Sequence, residues 1–174
     1  MEAGGLNYPA IICRDMEQSM TFYRRLGMEL LYMEPNRDDP ESVQALLHAG
    51  GETFLLLVGP VSKDVKIADS ALGVGSMQYL SLRVSTAQMD AMFHEMSTSG
   101  VQGSEEIRRG YERLVFMEDP NGVLVTLTAW TVDPPAGVSR AEVLKRASAL
   151  RDREGARFVD DNHVRTAIGS FGAG

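Results

Sequence analysis

The sequence has a single cysteine, Cys13, and three histidines among its 174 residues. No disulfide can form within the chain, and a zinc site made of several thiolates is excluded. Cys13 lies in an apolar run, so we expect a buried and unreactive thiol. No two histidines are spaced three or four residues apart on one predicted helix, and the HExxH motif of helical metal sites is absent.

The sequence also lacks a basic excess and a long apolar run. The formal net charge is −7, with acidic and basic residues interspersed. We therefore expect neither nucleic acid nor a membrane as a partner, because both need a concentrated basic face or an apolar segment of about 18 residues. The first residues do not combine a basic segment with an apolar one, as a secretory signal does. Cytoplasm is the expected location.

The sequence predicts the same order of strands and helices twice. Residues 7–60 predict a strand, a helix over 16–26 with Asp15 at its N-cap and Gly27 after its end, and three further strands. Residues 76–131 predict the same βαβββ order, with Thr86 capping a helix over 87–99. Residues 61–75 carry no firm period and are predicted to be a linker.

Two residue pairs support an internal duplication. Tyr8 and Tyr79 are 71 positions apart (79 − 8), and so are Phe22 and Phe93 (93 − 22). The repeated element order is the stronger argument, because two matching identities alone are weak.

Residues 132–174 lie outside the repeat and predict a helical C-terminal extension. Ser139 and Glu142 have the spacing of a capping box, and the following helix carries an apolar stripe. Asp160 or Asp161 is expected to cap a second, short helix. The stripe could pack on the chain's own sheet or reach across a dimer, and the sequence leaves both open.

Two segments carry a resemblance to a known family. The sequence RDMEQSMTFYRRLGMELL after the first strand and FMEDPNGVLVTL near the end are similar to the vicinal oxygen chelate superfamily. This group includes glyoxalase I, extradiol dioxygenases, fosfomycin-modifying enzymes and bleomycin-binding resistance proteins. The resemblance covers roughly residues 7–131. It implies an α+β fold in which two βαβββ repeats form an open mixed β-barrel around a cavity, and it implies a homodimer.

The resemblance also indicates where a metal would be bound. Members that use a metal hold it from four strand positions, which fall here on Tyr8, Leu56, Tyr79 and Thr126. Phenol and hydroxyl oxygens are poor ligands for nickel, zinc or iron, and leucine has no donor atom. We therefore expect no metal and no other cofactor.

The cavity that the resemblance implies would be lined by residues of alternating strand positions. Aromatic rings, hydroxyls and a guanidinium suit a small organic molecule with aromatic or hydrophobic parts. The residues predicted to bind the ligand are Tyr8, Ile12, His48, Leu56, Tyr79, Ser81, Arg83, Arg113 and Thr126.

We favour the first of three functions, and the other two remain open as alternatives. The first is a metal-free small-molecule-binding protein of the glyoxalase/bleomycin-resistance type. The second is a metal-independent isomerase or cyclase in which Tyr8 and Tyr79 are catalytic candidates, with Arg83 as the nearby cation and Glu112 as a possible carboxylate of undecided orientation. The third is a metal-dependent lyase or dioxygenase of the same superfamily. The two tyrosines could also merely fill the cavity.

Overall fold

The computed structural model describes residues 5–39, 41–59, 74, 76–99 and 102–171. The chain divides into two compact units. Unit 1 comprises Met1–Ser76 with Glu118–Val123, and unit 2 comprises Met77–Met117 with Leu124–Gly174. Apart from Val74, the predicted linker over 61–75 lies outside the described residues. No helix in the described part of the chain has the length and apolar composition needed to cross a bilayer.

Unit 1 contains the first predicted βαβββ repeat. Its strands form one mixed sheet, sheet 1, in the order β1-β4-β3-β2, with β1 parallel to β4 and the other neighbours antiparallel. The elements are β1 Ala10–Ile12, α1 Met16–Arg25, β2 Glu29–Pro35, β3 Val43–Gly50 and β4 Thr53–Gly59.

Helix α1 begins and ends where the sequence predicts. The Asp15 carboxylate accepts a hydrogen bond from the Gln18 amide at 2.9 Å and so caps the first turn. Gly27 has a φ of 87°, which permits the reversal from the helix into β2. The helix buries Met16 and Tyr23, and it packs against β4. The buried side chains of sheet 1 are Ile11, Ala45, Leu47, Leu55 and Leu57.

Unit 2 repeats this arrangement. Its strands form sheet 2 in the order β5-β8-β7-β6, which matches sheet 1 strand by strand, and β5 is parallel to β8. Neither sheet closes on itself, and the α+β class and the repeated βαβββ order are confirmed. The elements are β5 Leu80–Arg83, α2 Thr86–Ser99, β6 Ile107–Arg109, β7 Glu112–Glu118, β8 Leu124–Trp130, α3 Arg140–Glu154 and α4 Asp161–Gly169.

The predicted cap of α2 was wrong by one residue. The Ser85 hydroxyl accepts from the Gln88 amide at 3.1 Å, and the Gln88 side chain accepts from the Ser85 amide at 2.8 Å. This reciprocal pair is a capping box, so Ser85 is the N-cap. Thr86 is already helical, and its hydroxyl donates to the Trp130 carbonyl at 3.0 Å instead.

The C-terminal extension packs on its own unit, which decides between the two alternatives that the sequence left open. Trp130 at the end of β8 forms a buried cluster with side chains of both extension helices. Ser139 caps α3, and Asp160 rather than Asp161 caps α4. The cluster consists of Trp130, Val143, Ala147, Val164 and Ala167, with Tyr111 and Phe171 among the side chains packed against it.

Candidate ligand-binding site

Sheet 1 has one buried face and one more open face, which is exposed at β1 and half-buried along β3 and β4. Pairing in register runs from Ala10 to Leu56 and on to Leu46, and from Ile12 to Val58 and on to Gln44. These side chains alternate with the buried ones that pack against α1, because neighbouring strand residues point to opposite faces. We call this open surface the outer face of sheet 1. It consists of Ala10, Ile12, Gln44, Leu46, His48, Phe54, Leu56 and Val58.

The structure brings the four predicted ligand residues of unit 1 to this face. Ile12, His48 and Leu56 belong to it directly, and Ile12 is 63% exposed. The Phe54 amide donates to the Asn7 carbonyl at 3.2 Å, and the Leu56 amide donates to the Pro9 carbonyl at 3.1 Å. Strand pairing therefore continues before β1, and alternation puts Tyr8, which is 42% exposed, on the same side as Ala10.

His48 is held in place by the turn between β3 and β4. Its Nε2 lies 2.8 Å from the Gly51 carbonyl oxygen, and its ring centroid lies 5.9 Å from that of Phe54. Since the carbonyl can only accept, Nε2 carries the proton in this arrangement. That nitrogen is therefore engaged and does not serve as a metal donor.

Sheet 2 presents a more polar surface at the equivalent positions. Ser81 pairs in register with Thr126, and Arg83 pairs with Thr128. The Ser81 and Thr128 hydroxyl oxygens lie 2.9 Å apart. Ser81 and Arg83 are exposed, whereas Thr126 is fully buried at 0% exposure. Of the predicted residues on these two strands, Ser81 and Arg83 are thus accessible to a ligand.

Tyr79, just before β5, lies beside an ion pair that the sequence did not predict. Arg109 lies opposite Glu112 in the β6–β7 register, and its Nη2 is 2.9 Å from the Glu112 carboxylate. Hydrogen bonds to Glu112 and to Tyr79 raise the pKa of Arg109. The Tyr79 ring meets the Phe116 ring edge-on at 5.7 Å. We call these four residues the Tyr79 cluster.

The cluster corrects one expectation and settles another. The cation that the structure shows next to Tyr79 is Arg109, whereas the sequence suggested Arg83. Glu112, whose orientation the sequence left undecided, lies on the Tyr79 side. The signal was present in β7, because Glu112 and Phe116 are an even number of positions apart and so share a face. The side on which Glu112 lies could be predicted only by knowing that the chain turns at Gly110, which has a φ of 60°.

Arg113 lies apart from the other predicted ligand residues of unit 2. Its side chain is 11% exposed, and its guanidinium is 2.7 Å from Asp90 of α2 and 2.7 Å from Glu106. As the neighbour of Glu112 in β7 it points to the opposite face, toward α2. The hydrogen bond from Arg113 lowers the pKa of Glu106. The guanidinium of Arg113 is therefore already bound to two carboxylates.

The four positions where the family resemblance would put metal ligands do not fit a metal. The pairing of Ala10 with Leu56 in sheet 1 corresponds to that of Ser81 with Thr126 in sheet 2, which supports the assignment of these positions. Their side chains are two phenols, an aliphatic group and a buried hydroxyl. Within the described residues, no three His, Cys, Asp or Glu side chains are grouped so as to hold a metal ion.

Comparisons with known proteins agree with the fold described above. The family model described as Glyoxalase/Bleomycin resistance protein/Dioxygenase superfamily matches residues 5–127. No curated protein matches the chain. Among solved structures, the chain is similar to a glyoxylase/bleomycin resistance protein/dioxygenase domain from Frankia sp. EAN1pec. That likeness has a TM-score of 0.63 and 13% identity, and covers 74% of this chain and 93% of that one.

Two further similar structures are enzymes or resistance proteins by their descriptions. The fosfomycin resistance protein FosX of Listeria monocytogenes has a TM-score of 0.57 and 16% identity, covering 75% of this chain and 97% of its own. The trypanothione-dependent glyoxalase I of Leishmania major has a TM-score of 0.56 and 20% identity, covering 88% and 99%. At these identities the likeness establishes the fold alone.

Proposed function

Because the chain belongs to the Glyoxalase/Bleomycin resistance protein/Dioxygenase superfamily, we propose that it is a metal-free protein that binds a small aromatic or hydrophobic organic molecule. The observation that carries the proposal is the donor chemistry at Tyr8, Leu56, Tyr79 and Thr126. A divalent transition metal prefers imidazole and carboxylate donors, and these four positions supply none. The same strands still offer exposed surfaces that suit an organic ligand.

The outer face of sheet 1 supports recognition of an apolar ligand. Its centre is aliphatic, with Ile12, Leu46, Leu56 and Val58 as neighbours in the strand register. Removing apolar surface from water contributes about 25 cal/mol per Å². A ligand that covers roughly 200 Å² of this face would gain about 5 kcal/mol before the cost of immobilising it.

A second candidate function is a metal-independent isomerase or cyclase, and the Tyr79 cluster favours it. The Tyr79 hydroxyl can donate to an oxygen that gains negative charge in a transition state, and Arg109 beside it can stabilise that charge. Glu112 is the carboxylate that could accept a proton. In the resting structure Arg109 is paired with Glu112, so this chemistry requires the ligand to compete for the guanidinium.

Metal content and the affinity for N-phenyl-1-naphthylamine, an uncharged fluorescent aromatic probe, test the proposal together. We expect well under one equivalent of transition metal per chain, and a dissociation constant that a chelator leaves unchanged. Leu56→Asp should weaken probe binding at least about tenfold, because it puts a charge into the aliphatic centre. Phe158→Asp is the matched control, since Phe158 is exposed and lies in unit 2, outside the strands of both sheets.

Two results would overturn the proposal. One is a full equivalent of metal that is needed for probe binding, which would favour a metal-dependent lyase or dioxygenase. The other is an equal effect of Leu56→Asp and Phe158→Asp. Tyr8→Phe combined with Tyr79→Phe separates binding from catalysis, because it should change affinity less than about threefold but abolish any turnover. We also propose a cytoplasmic homodimer, which light scattering and cell fractionation would test.

A further inference from the structure

Arg83 is set apart from the other arginines that lie in strands. Arg108, Arg109 and Arg113 each lie within 3.2 Å of a carboxylate oxygen. Arg83 is exposed at the end of β5, an edge strand of sheet 2, and among the described residues it has no carboxylate partner. This occurs in a chain that carries 24 acidic and 17 basic side chains. The position therefore keeps a guanidinium available.

The side chains next to Arg83 are hydroxyls, which add hydrogen-bond donors and carry no negative charge. Thr128 is its direct partner in the register of β5 and β8, and the Thr128 hydroxyl lies 2.9 Å from that of Ser81. In such a pair one hydroxyl hydrogen is used and the other remains free to donate. Glu112, a carboxylate on the Tyr79 side of sheet 2, is bound to Arg109.

The duplication shows that this charge is particular to unit 2. Arg83 is 71 positions after Ile12 (83 − 12), and the pairing of Arg83 with Thr128 corresponds to that of Ile12 with Val58. Where unit 1 has two aliphatic side chains, unit 2 has a guanidinium and a hydroxyl. The two equivalent surfaces therefore differ in the ligand chemistry that each favours.

We propose that the ligand carries an anionic group, a carboxylate or a phosphoryl oxyanion, which Arg83 binds together with the Ser81–Thr128 hydroxyl pair. This inference rests on the proposed function and specifies its ligand class. A guanidinium presents two parallel N–H groups that match two oxygens of such an anion, and charge-assisted bonds of this kind are among the stronger ones. The net charge of −7 alone would favour a cationic ligand; the local chemistry at Arg83 favours the opposite sign.

The test compares naphthalene compounds of one shape and different charge. Naphthalene-2-carboxylate and 2-naphthylphosphonate are the anionic probes, and naphthalene-2-carboxamide is the neutral one, each titrated by calorimetry. We expect at least one anion to bind about tenfold or more tightly than the carboxamide. Arg83→Gln should remove this advantage and change carboxamide binding less than about twofold. Arg83→Lys keeps the positive charge but loses the two parallel N–H groups of the guanidinium. It should therefore retain only part of the preference for the anionic probe.

Arg153→Gln is the matched control, because Arg153 lies in the last turn of α3 and the substitution changes the net charge equally. If the anions bind no better than the carboxamide, or if both Gln variants weaken them equally, the inference is wrong and the proposed function stands. If neither kind of probe binds, both are wrong. Anion binding that Arg83→Gln abolishes, without carboxamide binding, supports the inference and overturns apolar recognition. The preferred anion distinguishes a carboxylate from a phosphoryl ligand.

Discussion

The hydroxyl of Tyr23 donates a hydrogen bond to the carboxylate of Asp119 at 2.9 Å, although 96 positions separate the two residues. Both are almost fully buried. The same carboxylate accepts from the amides of Asn121 and Val123, at 2.8 Å each, and from the Asn121 side chain at 3.1 Å. Within unit 1, α1 is thereby tied to the segment Glu118–Val123. The two sequence segments that carry the family resemblance thus meet at this bond.

Replacing Tyr23 with phenylalanine should destabilise the protein by about 1–3 kcal/mol, because Asp119 loses one of its hydrogen bonds in a buried place. Urea unfolding followed by circular dichroism measures this. Tyr32→Phe is the control, since Tyr32 is 45% exposed on β2, and we expect it to stay within about 0.5 kcal/mol of the parent chain. Equal losses in the two variants would contradict the assigned role of the buried bond.

The stability of the protein should fall as the pH rises above about 10. Burial, reinforced by the neighbouring Asp119, raises the pKa of Tyr23 far above its usual range. Above the usual value the unfolded chain loses this proton while the folded chain keeps it. The unfolded state then binds fewer protons, so the free energy of unfolding falls by up to ~1.4 kcal/mol per pH unit.

Tyr23→Phe should reduce this alkaline slope by the contribution of Tyr23, which urea titrations at a series of pH values would show. Burial also raises the pKa of Cys13 from its ordinary value of 9.0. Above that value the unfolded chain loses the Cys13 proton while the folded chain keeps it. Cys13 therefore also lowers the free energy of unfolding, and its effect begins at a lower pH than that of Tyr23. We therefore expect a residual slope in Tyr23→Phe that becomes smaller when Cys13→Ala is added, while Tyr111, whose pKa burial also raises, keeps part of it. A slope that neither substitution alters would contradict the prediction.

Arg113→Gln should destabilise unit 2 by about 1–2 kcal/mol near neutral pH, a value between those of an exposed and a buried ion pair. Arg113 lowers the pKa of Glu106, so this contribution is present above pH ~4.5, the ordinary value, and is lost as the pH falls through the lowered one. The difference between the parent chain and the variant should therefore narrow in acid. Arg108→Gln is the control, because Arg108 is 73% exposed, and its effect should stay below about 1 kcal/mol.

Gly110→Ala should cost more stability than Gly137→Ala. Both glycines have positive φ, 60° and 80°, which a side chain disfavours. A Cβ at Gly110 would also lie 3.0 Å from the Val159 carbonyl oxygen, whereas Gly137 has nothing within 4 Å. We expect about 1 kcal/mol for Gly137→Ala and a measurably larger loss for Gly110→Ala in thermal unfolding. Equal losses would show that the Val159 carbonyl moves away from the new Cβ without reducing stability.

Local signals predicted the elements, and contacts distant in sequence decided the site. Asp15 and Gln18 are three residues apart, so the cap of α1 can be predicted from sequence alone. Two adjacent hydroxyl residues offered two caps for α2, and the reciprocal bond with Gln88 selected Ser85. Arg109 could not be assigned to a site from the sequence, because only the β6–β7 register shows that it pairs with Glu112 beside Tyr79.

The buried cluster around Trp130 has a practical consequence for anyone expressing part of this chain. The family match ends at residue 127, but the apolar contacts of unit 2 continue to Phe171. A fragment trimmed to the matched region would lose Trp130 and leave Tyr111, its edge-on neighbour at 5.3 Å, without its covering ring. Exposed aromatic surface of this kind promotes aggregation. The smallest self-sufficient fragment therefore extends well past the boundary that homology suggests.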